Sequence, residues 1–276
     1  MAKKHAAKSR SRRDRNFQDV TEPTQPMREK SARLRASEAW TRNEAKPLVC
    51  RNQAQKEYLA HMMSKPITAG IGPAGTGKTY VSVKYAAQQL DNRRKERIIV
   101  VRPIVESGGG IGFLKGGVEE KTAPYQVPFL EVLQEHYGAS HVENMMTGPH
   151  PRILFVPLEF LRGRTFKDAI VILDEAQNTT CEQMETFLTR IGDGAQYIIQ
   201  GDLNQIDVKD KVGRPIRSGL LDALEILQGM EDVGVKQFVE EDIVRTGLCR
   251  EIAIRYRQRR IQQELDRVAQ CQKQKQ

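Results

Sequence analysis

A glycine-rich octapeptide that ends in lysine and threonine is the part of this chain best suited to chemistry. Residues 72–79 fit the pattern G-x-x-x-x-G-K-[ST], in which glycines let the backbone approach a phosphate closely. The N–H groups of such a loop point inward at the positive end of the following helix, so they bind anions. The predicted nucleotide contacts are Gly72, Pro73, Ala74, Gly75, Thr76, Gly77, Lys78, Thr79 and Tyr80.

Two side chains of this loop have separate predicted roles. Lys78 is expected to reach the β- and γ-phosphates of a triphosphate, and the Thr79 hydroxyl is expected to ligate Mg²⁺. The flanking sequence fits, because residues 66–71 are typical of a short buried strand and residues 78–90 of a helix. An ordinary glycine-rich turn is the alternative, but the turn, the lysine and the hydroxyl coincide in the right context.

A pair of carboxylates follows a second apolar segment. Residues 169–173 are followed directly by Asp174 and Glu175, which is a Walker B pattern. Ligands bind outside the carboxyl ends of parallel strands, so the pair is expected beside the phosphate loop. Asp174 is predicted to hold the metal through water, and Glu175 to polarise the attacking water. The alternative is a solvated acidic turn before a helix, whose predicted capping box is Thr179 with Glu182.

The elements that position these groups alternate along the chain. Six apolar or β-branched segments predict strands, and helical patterns separate most of them. The predicted strands are 67–71, 97–102, 153–157, 169–173, 197–200 and 235–239. This alternation predicts an α/β fold with a mostly parallel sheet and helices on both faces. Two amphipathic stripes are interpreted as core: Ile216, Leu220, Leu224 and Leu227, and Ile254, Ile261, Leu265 and Val268.

Charge is distributed unevenly over the 276 residues, whose formal net charge is +9. Residues 1–47 carry 13 Lys or Arg against 6 Asp or Glu, and residues 249–276 carry 8 against 3. The segment between them is slightly acidic. We therefore predict a basic, disordered tail over 1–47, a nucleotide-binding domain over 48–248, and a basic C-terminal helix and tail over 249–276.

The basic N-terminal tail has two open interpretations. It could neutralise nucleic-acid phosphates without folding, or it could simply be a solvating end. No segment approaches the roughly 20 apolar residues that cross a bilayer, and a signal-peptide pattern is absent, although import into an organelle stays a minor alternative. The 4 cysteines are scattered without C-x-x-C spacing, and His136 and His141 are interpreted as surface residues. These features predict a cytoplasmic protein without a membrane partner and with no metal beyond Mg²⁺.

Further motifs resemble the PhoH-like proteins, a phosphate-starvation-associated ATPase family related to the cores of superfamily 1 helicases. The resemblance covers residues 52–256, roughly three quarters of the chain. Besides the loop, the matching segments are 102–106, 112–114, 162–165, 173–180, 188–192 and 201–207. Gly108, Gly109, Gly110 and Lys115 depart from the residues usual there. The resemblance implies a P-loop NTPase with a RecA-like sheet that uses ATP and Mg²⁺.

The resemblance also implies roles for residues outside the loop. Gln205 is expected to touch the γ-phosphate or the attacking water. Gln55 corresponds to a glutamine that contacts adenine in helicase-like ATPases, and a plain surface glutamine is the alternative. Arg245 matches a family position and is expected to neutralise charge that develops during phosphoryl transfer. Its competitors for this role are Arg102, Arg164 and Arg190.

Two classes of function remain open on the sequence. The favoured one is an ATPase coupled to RNA or single-stranded nucleic acid. It would act as a homo-oligomer, in particular a hexameric ring, because one helicase-like core lacks the second lobe that usually completes the site. Arg245 would then reach the site of a neighbouring protomer. The alternative is an ATP-dependent switch or scaffold that acts on a protein partner. A metabolic kinase fits less well, since Asp174 and Glu175 with Gln205 suit attack by water.

Overall fold

A single parallel sheet organises the computed structural model, which describes residues 47–104, 118–210 and 213–273. Residues 1–46 of the predicted tail lie outside these ranges, and so does the segment with Gly108 to Gly110 and Lys115. The strands are β1 (Ile67–Ile71), β2 (Arg97–Arg102), β3 (Ile153–Pro157), β4 (Ala169–Leu173), β5 (Gln196–Gly201) and β6 (Val233–Gln237). Their order is β3-β2-β4-β5-β1-β6, and every neighbouring pair is parallel.

Helices cover both faces of this sheet. They are α1 (Gln53–Ser64), α2 (Lys78–Asp91), α3 (Val118–Tyr137), α4 (Ala139–Thr147), α5 (Cys181–Leu188), α6 (Gly219–Ile226) and α7 (Gly247–Lys273). Successive strand residues point to opposite faces, so Ile98 and Val100 join the core beneath α1 to α4. Ile99 and Val101 join the core beneath α5 and α6. The predicted α/β fold with helices on both faces is therefore confirmed.

Strand β6 begins and ends two residues earlier than the sequence predicts. It pairs only with β1, from Ile67 opposite Val233 to Ile71 opposite Gln237. Val235 is 47% exposed, because β6 lies at the edge of the sheet, and Val239, which is 46% exposed, follows the end of the strand. The apolar pattern over 235–239 therefore does not mark the strand, whose limits are set by pairing with β1.

Two local predictions are wrong. The capping box of α5 consists of Thr180 and Gln183, each bonded to the backbone N–H of the other. Thr179 instead directs its hydroxyl to the Ala176 carbonyl, 2.8 Å away, and closes a short 3-10 turn. His136 is 6% exposed rather than on the surface, since α3 packs against α2.

The two amphipathic stripes have different outcomes. In α6, Leu220 is 1% exposed and Leu227 is 9% exposed just beyond it, so that stripe is core as predicted. In α7, Ile261 is 49% exposed, which contradicts the prediction of a buried face. The chain leaves the edge strand β6, so α7 follows an outer part of the fold and contacts the turn at 240–242. The side chains of Leu265 and Val268 lie outside the described residues.

Candidate nucleotide-binding site

The glycine-rich segment 72–77 connects β1 to α2 at the carboxyl edge of the sheet. The helix begins directly at Lys78, and Gly77 before it has a φ of 85°. Gly72 and Gly75 also have positive φ, which glycine adopts without a steric penalty. The predicted strand, loop and helix are therefore all present, with α2 one residue longer than the sequence indicates.

The start of the loop is enclosed by the strands on both sides of β1. The Gly72 N–H donates to the Gly201 carbonyl at 2.9 Å, and the Phe238 N–H donates to the Ile71 carbonyl at 2.7 Å. A Cβ added at Gly72 would lie 2.3 Å from the Phe238 carbonyl oxygen. Backbone cannot rotate away as a side chain does, so this position requires glycine.

Gln55 and Val244 hold the middle of the loop. The Gln55 Nε2 donates to the Thr76 carbonyl at 2.8 Å, and the Val244 N–H donates to the Gly75 carbonyl at 3.0 Å. A Cβ added at Gly77 would lie 2.5 Å from Gln55 Nε2. The protein's own contacts thus shape the loop, which lowers the ordering cost of binding a ligand.

The ammonium group of Lys78 is drawn into the loop. Its Nζ donates to the Gly72 carbonyl at 2.6 Å and to the Pro73 carbonyl at 2.8 Å. Burial lowers the pKa of Lys78, and nearby carboxylates oppose this shift. Those carboxylates belong to Asp202, Asp174 and Glu175. The amine therefore sits where a phosphate oxygen could take over from the loop carbonyls as its acceptor.

The Walker B carboxylates stand at the end of β4 and share one arginine. Arg102 Nη1 lies 3.3 Å from Asp174 Oδ2, and Arg102 Nη2 lies 3.4 Å from Glu175 Oε1. The guanidinium also lies 4.5 Å from the centre of the Tyr125 ring. Burial, followed by repulsion from Glu175, raises the pKa of Asp174 to about 6. A cation at this position would stabilise the ionised carboxylate.

Thr79 and Asp174 fit the magnesium role that the sequence predicts. The Thr79 hydroxyl lies 3.4 Å from Gln200 Oε1, in the first turn of α2 beside β5. Hydroxyl and carboxylate oxygens suit Mg²⁺, which keeps several waters and takes phosphate oxygens as further ligands. Among the residues that the structure describes, no cluster of three or more His, Cys, Asp or Glu side chains could hold a metal. The hydroxyl of Thr79 and the carboxylate of Asp174 suit a Mg²⁺ ion that takes its remaining ligands from phosphate and water.

Glu175 is oriented by a glutamine that the sequence analysis did not assign. Glu175 has a φ of 52°, a left-handed conformation that is uncommon for this residue type. Gln177 Nε2 lies 2.5 Å from Glu175 Oε2, and Gln177 Oε1 accepts from the Asp202 N–H at 3.0 Å. The only signal in the sequence was its position, two residues after the acidic pair in the matching segment 173–180.

Gln205 faces the beginning of the phosphate loop. Its Nε2 donates to Asp202 Oδ2 at 2.6 Å. It lines a cavity of about 490 Å³ together with Pro73 and Ala74, the second and third residues of the loop. The structure thus brings Gln205 to the phosphate loop, and its contact with phosphate or water stays a prediction.

Gln55 is 1% exposed, so the alternative of a plain surface glutamine is wrong. Its Oε1 accepts from the Arg51 N–H at 2.8 Å, while its Nε2 is held by the loop. Contact between Gln55 and adenine stays a prediction. It would require the Gln55 amide to give up its hydrogen bond to Arg51 or to Thr76. Tyr80 packs against the core, with its ring centre 5.9 Å from Lys84 Nζ.

Arg245 lies on the phosphate loop of its own chain. A Cβ added at Gly75 would lie 3.1 Å from Arg245 Cδ. The cause is the strand order, because β6 adjoins β1 and the segment after it crosses the loop. The expectation that Arg245 reaches a neighbouring protomer stays a prediction. Among its competitors, Arg164 is exposed between β3 and β4, and Arg190 lies near Tyr197 at the opposite edge of the sheet.

Comparisons with known proteins agree with the motifs. The family profile described as PhoH-like protein matches residues 47–257. Protein PhoH of Escherichia coli (strain K12) is 42% identical over 203 residues, which are 74% of this chain and 56% of that protein. The PhoH-like protein of Bacillus subtilis (strain 168) is 43% identical over 211 residues, 76% of this chain and 64% of that protein. The chain thus spans less than two thirds of the length of these relatives.

One solved structure with a similar arrangement is the Pif1 helicase from Candida albicans. It has a TM-score of 0.35 and 15% identity, and the match covers 70% of this chain and 41% of that one. In the described parts of this chain, every helix is too short or too polar to cross a membrane.

Proposed function

This chain belongs to the PhoH-like protein family, and on that premise we propose that it binds ATP with Mg²⁺ at residues 72–79 and hydrolyses it. The observation that carries the proposal is the convergence of Lys78 with Asp174 and Glu175 at one edge of the sheet. A glycine loop alone would support binding only. A carboxylate base beside it supports attack by water.

The proposed division of work follows from the contacts. Lys78 and the loop N–H groups neutralise the phosphates, and Thr79 and Asp174 hold the metal. A bound Mg²⁺ would supply charge neutralisation at the phosphate oxygens. Glu175 accepts a proton from the attacking water, and Arg245 offers positive charge at the loop.

Two substitutions separate binding from turnover. We expect Lys78→Ala to weaken triphosphate binding, because it removes the loop's cation. We expect Glu175→Gln to bind normally and to lose turnover by about 10²- to 10⁴-fold, the usual contribution of a positioned base. Lys167→Ala and Glu182→Gln are matched controls, since both side chains are largely exposed. Normal hydrolysis by Glu175→Gln would show that another residue is the base. If the wild-type protein does not hydrolyse ATP, the proposal of an ATPase is wrong.

We further propose that hydrolysis is coupled to RNA or single-stranded nucleic acid in the cytoplasm. The support is the excess of Lys and Arg at both ends of the chain together with family membership. A homo-oligomer, in particular a hexameric ring, remains part of this proposal. The alternative is an ATP-dependent switch that acts on a protein partner.

Stimulation of ATP hydrolysis by nucleic acid discriminates these two classes. We expect single-stranded RNA or DNA to increase the rate, and we expect unwinding of a tailed duplex that Glu175→Gln cannot perform. Indifference to both nucleic acids would favour the switch. Sedimentation across a concentration series reports the oligomer, and a fully active monomer would rule out an obligate ring.

A further inference from the structure

A cavity of about 490 Å³ lies between the phosphate loop and the C-terminal helix. Its walls come from four parts of the chain: Pro73 and Ala74 in the loop, residues 202–206 after β5, Glu240 and Ile243 after β6, and α7. This volume is in the range of small-molecule sites, roughly 300–1,000 Å³. The cavity therefore extends the nucleotide site on the side that faces Gln205.

The charged side chains around this cavity are Arg257, Glu240 and Asp202. Arg257, in α7, forms an ion pair with Glu240 in the turn that follows β6. The Glu240 side chain is 14% exposed and that of Arg257 is 44% exposed. The Asp202 carboxylate accepts from Gln205 and from the Asn204 N–H. Arg257 is thus the cavity's single positive side chain among the described residues.

We propose that this cavity receives the terminal phosphate of a bound nucleoside triphosphate, and that Arg257 is a catalytic residue that exchanges Glu240 for that phosphate. The inference rests on the ATPase proposed above. Lys78 Nζ lies at the carbonyls of Gly72 and Pro73, and the cavity begins next to them, at Pro73, Ala74 and Gln205. A guanidinium there offers paired donors to phosphate oxygens and neutralises charge that develops during transfer.

The geometry also explains how a single chain can supply this cation. Because β6 adjoins β1, the segment that follows it crosses the loop at Val244 and leads directly into α7. The helix then places Arg257 three turns beyond Gly247, on the cavity side. Arg245 lies against Gly75, so the two arginines approach the loop from different points. Arg257 thus does the work that a second lobe or a neighbouring protomer would otherwise do.

The test compares substitutions at both ends of the ion pair. Arg257→Ala should lower turnover by about 10²-fold or more, the order expected for a cation that contacts the transition state. Glu240→Gln breaks the same ion pair but leaves the guanidinium, so it should retain or raise turnover. Arg255→Ala is the matched control, because Arg255 lies on the same helix and pairs with exposed Glu251. Its turnover should stay within about twofold of wild type.

Further measurements separate catalysis from folding. Arg257→Lys keeps a positive charge but loses the planar fork, so its turnover should fall between those of wild type and Arg257→Ala. Arg257→Ala should weaken binding of a non-hydrolysable triphosphate analogue more than binding of ADP. Thermal unfolding of each variant shows whether it is folded.

Different results would contradict the role of Arg257 and the proposed ATPase. If Glu240→Gln loses turnover as severely as Arg257→Ala, the ion pair is structural and the inference is wrong. Normal turnover in Arg257→Ala would also overturn it, and would leave the ATPase intact. If the wild-type chain hydrolyses no ATP, the proposed function itself fails.

Discussion

The side chain of Gln177 connects Glu175 to the backbone of Asp202. Its Nε2 lies 2.5 Å from Glu175 Oε2, and its Oε1 accepts from the Asp202 N–H at 3.0 Å. Gln177 is fully buried, and its backbone carbonyl accepts from the Ser218 hydroxyl at 2.7 Å. The candidate base at the end of β4 is therefore oriented by the segment that follows β5.

Replacing Gln177 should impair the chemical step more than binding. We expect Gln177→Ala to reduce kcat about tenfold or more and to leave KM nearly unchanged, because an unheld carboxylate spends less time in the productive orientation. Steady-state ATP hydrolysis measures both constants. Gln183→Ala is a control, since that amide caps α5 and donates to Glu159 rather than to Glu175. An unchanged kcat in folded Gln177→Ala would show that Glu175 needs no such support.

Two glycines with positive φ should differ strongly in their tolerance of alanine. Gly72→Ala places its Cβ 2.3 Å from the Phe238 carbonyl oxygen, whereas a Cβ at Gly229 meets nothing within 4 Å. We expect Gly229→Ala to cost about 1 kcal/mol of unfolding free energy through backbone strain alone. Gly72→Ala should cost several times more and abolish triphosphate binding. Urea unfolding measures both, and equal costs would contradict the close approach.

Asp174 should make the metal-free protein less stable as the pH rises. Its pKa is raised from 3.8 to about 6, so folding favours the protonated form. The associated stability is present below pH 3.8 and is lost as the pH passes through about 6. At pH 8 we expect the free energy of unfolding of Asp174→Asn to exceed that of wild type by up to about 3 kcal/mol. This difference should shrink towards pH 4.

Unfolding in the presence of a chelator measures this effect. Asp193→Asn is the control, because that side chain is 99% exposed. A gain that is independent of pH would mean that it does not arise from ionisation of Asp174. A loss at pH 8 would mean that Arg102 stabilises the ionised carboxylate more than burial destabilises it.

Removing residues 1–20 should weaken nucleic-acid binding. Each phosphate neutralised on a single strand contributes about 0.7 to the slope of affinity against salt concentration on logarithmic scales. The truncated chain should therefore show a flatter slope, with ATP hydrolysis unchanged in the absence of nucleic acid. Replacing the basic residues among 3–15 with glutamine should reproduce the effect in a full-length chain. If affinity and slope survive both changes, the tail is not the binding element.

The sequence by itself determined the phosphate loop, the acidic pair and the class of fold. These features depend on residues that are adjacent or regularly spaced. Strands β1 to β4 occur where the apolar segments predict them, and β5 is only slightly longer. Lys78, Thr79, Asp174 and Glu175 can be recognised as candidate site residues from the sequence, because each follows directly on a predicted strand or loop at a fixed spacing.

Tertiary structure alone decided which distant segments meet at the loop. The position of β6 beside β1 places Arg245 on the loop and leaves Ile261 exposed, and no local pattern encodes that order. The hydrogen bond from the Asp202 N–H to Gln177 likewise exists because β4 and β5 are neighbours. Strand order results from packing over the whole domain, since each strand can pair with any other that presents the same backbone groups.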